Sequence, residues 1–213
     1  MALPPLVVLG ASGHGKVVAD TARAAGRAVL GFADDDPARR GVHVVGAPVL
    51  AIGADELRAT LDANGAELVL AIGRNATRQR LAGVWSGVPF ATLVHPRAWV
   101  SPTATLGAGT VVFAGAVVQA DARVGEHAIL NTGCSVDHDN VLGDFVHVSP
   151  GARLGGTVTV GEGTHIGIGA SVRNNLHIGA WSVVGAGAAV VADLPDSVTA
   201  YGVPARVRGS VPR

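Results

Sequence analysis

The 213-residue chain has one cysteine, a single lysine among its sixteen basic residues, and few aromatic side chains, which make up 4% of the sequence. A lone thiol, Cys134, cannot close an intrachain disulfide, so the fold is expected to stand without cross-links, as suits a reducing cytoplasm. Net charge is also missing, because sixteen acidic residues balance the sixteen basic ones. Without a basic field there is no long-range pull on nucleic acid or anionic lipid, and neither is expected as a partner. No apolar run approaches the roughly 18 residues of a membrane helix. The opening MALPPLVVLG has no basic start before its short apolar run and reads as a first strand rather than a signal peptide. What the chain does have is 48% hydrophobic residues, ample for a core, and 30 glycines.

From Val94 to Val190 every sixth residue is Val, Leu or Ile, seventeen in succession. Four residues after most of them stands something small, such as Ala116, Ala128 or Cys134, and directly after many stands glycine, as at Gly107, Gly125, Gly143 and Gly161. A period of six is neither helical nor a two-residue alternation; it is the signature of a parallel β-helix. Each hexapeptide supplies one short strand and a corner, where the recurrent glycines are expected to provide permissive backbone. Three hexapeptides complete a triangular coil of 18 residues, so seventeen make between five and six coils, stacked about 4.8 Å apart. The aliphatic and small positions point inward, which makes Cys134 a packing thiol rather than a nucleophile.

Before Val94 the texture changes. Leu6 to Leu9, Val29 to Phe32 and Leu68 to Ile72 read as strands, alternating with helices over Lys16 to Ala25, Ala54 to Ala63 and Ala76 to Trp85. Phe90 to Leu93 is expected to add a last strand. The alternation predicts a small parallel α/β, Rossmann-like domain over residues 1–92, followed by a β-helix domain over 93–213 whose turn-rich end caps the stack. Gly10 to Lys16 (GASGHGK) follows the first strand and opens the first helix, where backbone N–H groups and the helix dipole favour a phosphate. The spacing is GxxGxG, which is neither the dinucleotide fingerprint nor a Walker loop, and a tight turn alone would also account for it. Asp34, Asp35 and Asp36 follow the second strand, where carboxylates meet sugar hydroxyls in such sheets. A solvated acidic turn is the competing explanation. Gly73-Arg74-Asn75 follows the third strand on the same sheet edge, so three strand ends converge on one crevice suited to a nucleotide-sugar.

A second cluster, Asp137-His138-Asp139, lies just past the ladder position Val136, in a phase that projects outward. A histidine between carboxylates is a plausible general base, since nearby negative charge raises its pKa. His147 is expected to project outward too, with His165 stacked one coil above it. His127, His165 and His177 read chiefly as surface residues. Zinc is not expected, because no two histidines have the five-residue separation of β-helix carbonic anhydrases.

These residues resemble the hexapeptide-repeat acyltransferases that acetylate amino groups on nucleotide-activated sugars, of the bacillosamine and perosamine N-acetyltransferase type. The resemblance runs through GASGHG at Gly10, Asp34-Asp35, AIGRN from Ala71, LVHP from Leu93, ILNTGCSVDHD from Ile129, His147-Val148-Ser149 and GVPAR from Gly202. It implies a left-handed β-helix, a homotrimer with active sites between subunits, and acetyl-CoA as co-substrate with no metal. By the same resemblance Ser12, Gly13, His14, Asp34, Asp35 and Gly73 hold the nucleotide-sugar. His147 lies near the thioester, Ile168 and Ala186 line the pantetheine arm, and His138 is the base. Bacillosamine-type members carry Glu where this sequence has Asp139, which leaves open whether Asp139 or Asp137 orients the imidazole. O-acetylation of a sialic-acid-like hydroxyl and a non-catalytic sugar-binding scaffold are the other readings of the sequence.

Overall fold

The computed structural model describes residues 3–211. Near the N-terminus, strands β1 (Leu6–Leu9), β2 (Val29–Asp34), β3 (His43–Val44), β4 (Ala47–Ile52) and β5 (Glu67–Leu70) form a sheet in the order β3-β4-β2-β1-β5. All neighbours are parallel except the β3–β4 hairpin. Helices α1 (Gly13–Ala24), α2 (Ala54–Asn64) and α3 (Asn75–Val84) complete the domain. β1 reads LVVL and is buried through Val8, as a central parallel strand covered on both faces should be. Leu6 and Val8 join α1 residues Val18 and Ala22 in a core that continues into Val111, Phe113 and Ile129 of the β-helix. Val7 points the other way, toward Leu57 and Leu61 of α2. The α1 face therefore docks the sheet onto the coils.

One element carries no clear signal in the sequence, and one expectation gives way. The hairpin made by β3 and β4 lies where Gly46 and Pro48 interrupt any apolar pattern, and β4 is only half buried. Phe90 makes a single bridge to Leu68, and the strand that follows, Leu93–Val94, pairs with Val111–Val112 and belongs to the coils.

From Leu93–Val94 to Ala189–Val190 run seventeen two-residue strands in three parallel ladders, each strand pairing with the one 18 residues on. They form a left-handed parallel β-helix. The ladder positions fill its interior, where Val112, Leu130, Val148 and Ile166 are fully buried, and Cys134 packs among them. Four small inward positions, Thr110, Asn140, Thr164 and Ser182, are polar and satisfied, as two of them illustrate. Asn140 donates to Asp137 O (2.7 Å) and Gly155 O (3.0 Å) and accepts from Val158 N (2.9 Å). Thr164 donates to Gly179 O (2.6 Å) and accepts from Ser182 N (3.0 Å).

The corners turn on a left-handed residue at every sixth position from Gly109 to Gly187, three places after the ladder residue. One edge of the prism carries Gly115, Gly133, Gly151, Gly169 and Gly187 there; the second carries Asp121, Asp139, Thr157 and Asn175; the third Gly109, His127, Phe145, Gly163 and Trp181. The glycines directly after the ladder residue thus serve a different purpose from the expected one. A Cβ on Gly107 would stand 2.5 Å from Glu126 N in the next coil, so these glycines let successive corners stack. At the far end, Val198–Gly202 pairs with Val183–Val184 and with Ala205–Ser210, burying Ala200 and Ala205 over the last coil.

Candidate active site

The ends of β1, β2 and β5 meet at one sheet edge. Gly10 turns with φ 111°, and a Cβ there would lie 2.8 Å from Ala71 O, so the β1 loop can lie against the β5 loop only with glycine. Ser12 caps α1 through its backbone, its carbonyl accepting from Lys16 N at 3.2 Å, and Ser12 and Gly13 are exposed where first-turn N–H groups lack helical partners. Asp34 accepts from Ala11 N (2.9 Å) through Oδ2 and from Asp36 N (3.1 Å) through Oδ1. Its carboxylate therefore braces the glycine loop, and only its remaining lone pairs are open to a ligand. Asp35 is exposed beside a slot of about 160 Å³ lined by Leu9, Leu57, Leu81 and Trp85. Gly73 completes the edge after β5. His14 departs from this group, lying edge-on to Phe113 of the coils at 5.6 Å.

His147 does project outward from its coil, but the N-terminal domain covers it and leaves it 9% exposed. Coil phase alone could not reveal that cover. Its ring stacks on His165 at 4.6 Å with planes 2° apart, as the 18-residue spacing predicts, and its Nε2 lies 3.1 Å from Asn131 Nδ2. Burial, reinforced by His165, Arg78 and His14, pushes its pKa down to about 3. His14 falls to about 4, through burial and then Arg78. His127 is not a surface residue: it is 3% exposed, stacked on Phe145 at 5.4 Å and met edge-on by Phe90 at 4.5 Å, with a pKa near 4 from burial. At neutral pH these rings are uncharged. His165 is half-buried and pairs with Ser149 Oγ at 2.7 Å, while His177 is exposed.

His138 stands on the second edge with its side chain 58% exposed. Its Nδ1 lies 2.7 Å from Asp139 Oδ2, and its backbone N–H donates to Asp137 Oδ1 at 2.8 Å. Asp139 thus orients the imidazole, and Asp137 braces the chain beneath it. With Nδ1–H donating to Asp139, Nε2 is left as an acceptor. The Asp139 hydrogen bond, aided by the charges of both carboxylates, raises the His138 pKa. Asp tolerates the left-handed backbone at 139 (φ 58°) better than most residues. The ring lies over Gly156 of the next coil, where a Cβ would come within 2.5 Å of Cε1 and Nε2. Ile168, 61% exposed, and Ala186 lie one coil apart on the glycine edge, where Ile168 O accepts from Gly187 N at 2.8 Å.

A single chain therefore brings Ser12, Gly13, Asp34, Asp35 and Gly73 together, but leaves His138–Asp139 and Ile168–Ala186 on separate edges of the prism. Sequence reasoning misses a cleft of about 600 Å³ between the start of α3 and the third edge, lined by Gly73, Arg74, Gln79, His165 and Trp181. It also misses Arg78, a buried cation with no motif around it. Among the described residues no group of three His, Cys, Asp or Glu side chains is placed to hold a metal.

Residues 5–84 match the PglD N-terminal domain family. The chain is 43% identical to PerB from Caulobacter crescentus, solved with CoA and GDP-perosamine, over 98% of this chain and 99% of that one, with a TM-score of 0.90. The acetyltransferase domain of PglB from Neisseria gonorrhoeae, solved with acetyl coenzyme A, is 39% identical over 97% of this chain and all of that one (TM-score 0.89). WeeI from Acinetobacter baumannii is 27% identical over 96% of this chain and 99% of that one (TM-score 0.86). No curated protein sequence matches. With near-complete coverage at such identity, the chain belongs to the hexapeptide-repeat family of nucleotide-sugar N-acetyltransferases.

Proposed function

We propose that the protein transfers the acetyl group of acetyl-CoA to the amine of a nucleotide-linked 4-amino-4,6-dideoxy sugar, of the GDP-perosamine or UDP-bacillosamine type, for surface glycan synthesis. The observation that carries this reading is the exposed His138–Asp139 pair, whose free Nε2 can accept a proton, in a chain this similar to proteins solved with those ligands. The neutral sugar amine attacks the thioester carbonyl, the C–S bond breaks and CoA leaves as its thiol. The proton lost by the amine passes to His138 and from there to the departing sulfur, so that His138 ends the cycle neutral, and backbone N–H groups stabilise the developing oxyanion. No acetyl-enzyme is formed, which agrees with a buried Cys134 whose thiol pKa is pushed up to about 12.

In this reading residues 1–92 bind the nucleotide-sugar through Ser12, Gly13, Asp34, Asp35 and Gly73, with His14 turned from that group toward Phe113, and residues 93–213 bind acetyl-CoA through His147 and the Ile168–Ala186 edge. Separation of His138 from that edge within one chain supports a homotrimer in which neighbouring copies complete each site. The enzyme would work in the cytoplasm, where both substrates are made. Thiol release is measured with acetyl-CoA against GDP- and UDP-4-amino-sugars and free sialic acid, with light scattering for the trimer. Turnover of a nucleotide-amino-sugar is expected; turnover of sialic acid alone, or none, overturns the reading.

A further inference from the structure

Arg78 projects from α3 and is 1% exposed, yet none of the ion pairs among the described residues includes it. Its Nε–H donates to His127 O at 2.8 Å. Nη1 donates to Ile72 O at 2.8 Å and Gly73 O at 3.4 Å, and Nη2 to Asn75 Oδ1 at 3.0 Å and Phe145 O at 2.8 Å. Every acceptor is neutral. Burying an unpaired guanidinium is costly, and were packing its only task an apolar side chain would serve as well.

The acceptors explain what the charge is for. Ile72 and Gly73 form the loop leaving β5, one wall of the crevice, whereas His127 and Phe145 are successive corners on the third edge. Asn75 lengthens the tie, its Nδ2 donating to Gly163 O (2.9 Å) and Thr164 O (3.3 Å) in the following coil. One guanidinium and one amide thus bind the crevice loop to three consecutive coils, through a planar fork whose donor directions are fixed. The same guanidinium opposes a charge on His14, His127, His147 and His165.

We propose that Arg78 is a positioning residue for acyl transfer, fixing the Ile72–Gly73 wall of the nucleotide-sugar crevice against the coil face that carries His147 and His165. This rests on the crevice binding the nucleotide-sugar. Lysine keeps the charge but has no fork, and glutamine keeps neither.

The test is steady-state kinetics of the full-length Arg78→Gln and Arg78→Lys variants with each substrate varied in turn. Because the tie acts on the crevice loop and not on the Ile168–Ala186 edge, and His147 is held within the coils by Asn131 and by stacking on His165, KM for the amino-sugar should rise about tenfold or more in Arg78→Gln and less in Arg78→Lys, while KM for acetyl-CoA stays within about twofold. Equal shifts in both KM values, or none, overturn the proposal. If neither variant folds, Asn75→Ala keeps Arg78 and removes the link to Gly163 and Thr164. It should show the same split at smaller size, and an unchanged KM for the amino-sugar overturns the proposal. A wild-type enzyme inactive on every nucleotide-amino-sugar defeats the functional reading instead, so the two failures are distinguishable.

Discussion

Replacing Gly156 by alanine would place a methyl group 2.5 Å from Cε1 and Nε2 of the His138 ring. Carbon contacts settle at about 3.5–4.0 Å, so the ring must withdraw by about 1 Å or rotate. The backbone at 156 is not left-handed, so alanine brings no φ strain, and His138 is exposed enough to yield without disturbing the core. The melting temperature should therefore change by no more than about 2 °C. Activity is another matter, because the withdrawing ring breaks its 2.7 Å bond to Asp139 and carries Nε2 away from the reacting amine. A misplacement of about 1 Å costs about 100-fold, or about 2.7 kcal/mol of transition-state stabilisation. Thiol release at saturating acetyl-CoA, with thermal melts of the same preparations, measures both quantities. Activity within twofold of wild type in a folded Gly156→Ala enzyme would refute the assignment of His138 as the group that takes the proton.

Asp139→Asn removes the main cause of the raised His138 pKa, so the acid limb of the kcat/KM profile should move to lower pH; an unmoved limb would mean that another group titrates there. His14, His127 and His147 have folded pKa values of about 4, 4 and 3, below the ordinary 6.5, so the unfolded chain binds protons first as pH falls. The stability they contribute is complete above pH 6.5 and is lost progressively toward pH 4, at about 1.4 kcal/mol per histidine for each pH unit of descent through that window. Thermal melts from pH 7.5 to 4.5 should show that decline, and a flat profile would argue against their burial. Cys134 should resist iodoacetamide in the native protein at pH 8 and react once denatured, as judged by mass; ready native labelling would contradict its inward position.

The coils are legible because the signal is redundant. A ladder of Val, Leu and Ile from Val94 to Val190 fixes phase, and phase correctly places Cys134 inside, His138 outside and His165 above His147. It does not report what later covers a coil, so His147 and His127 read as outward or surface residues although the α/β domain buries both. Nor does it distinguish two uses of glycine: Gly107 is needed for coil stacking and Gly109 for its positive φ. Arg78 is invisible for a deeper reason. Its acceptors are mostly main-chain carbonyls, which every residue has, so no pattern of side chains announces it. The choice between Asp137 and Asp139 needs side-chain geometry, because both flank His138 equally in the sequence.

The left-handed corner positions make the β-helix a graduated rule. Each of its three edges runs parallel to the stack with one division every 4.8 Å or so, and each has its own chemistry: bare backbone at the glycines, short polar side chains on the His138 edge, aromatic rings where the other domain docks. Adding or removing 18 residues would change the length by one division and leave every mark on its own edge. Adding one residue would instead rotate everything downstream out of phase, setting inward side chains outward. A rule of this kind tolerates change in whole divisions only, and the span between His138 and the end of the stack can be varied only in those steps.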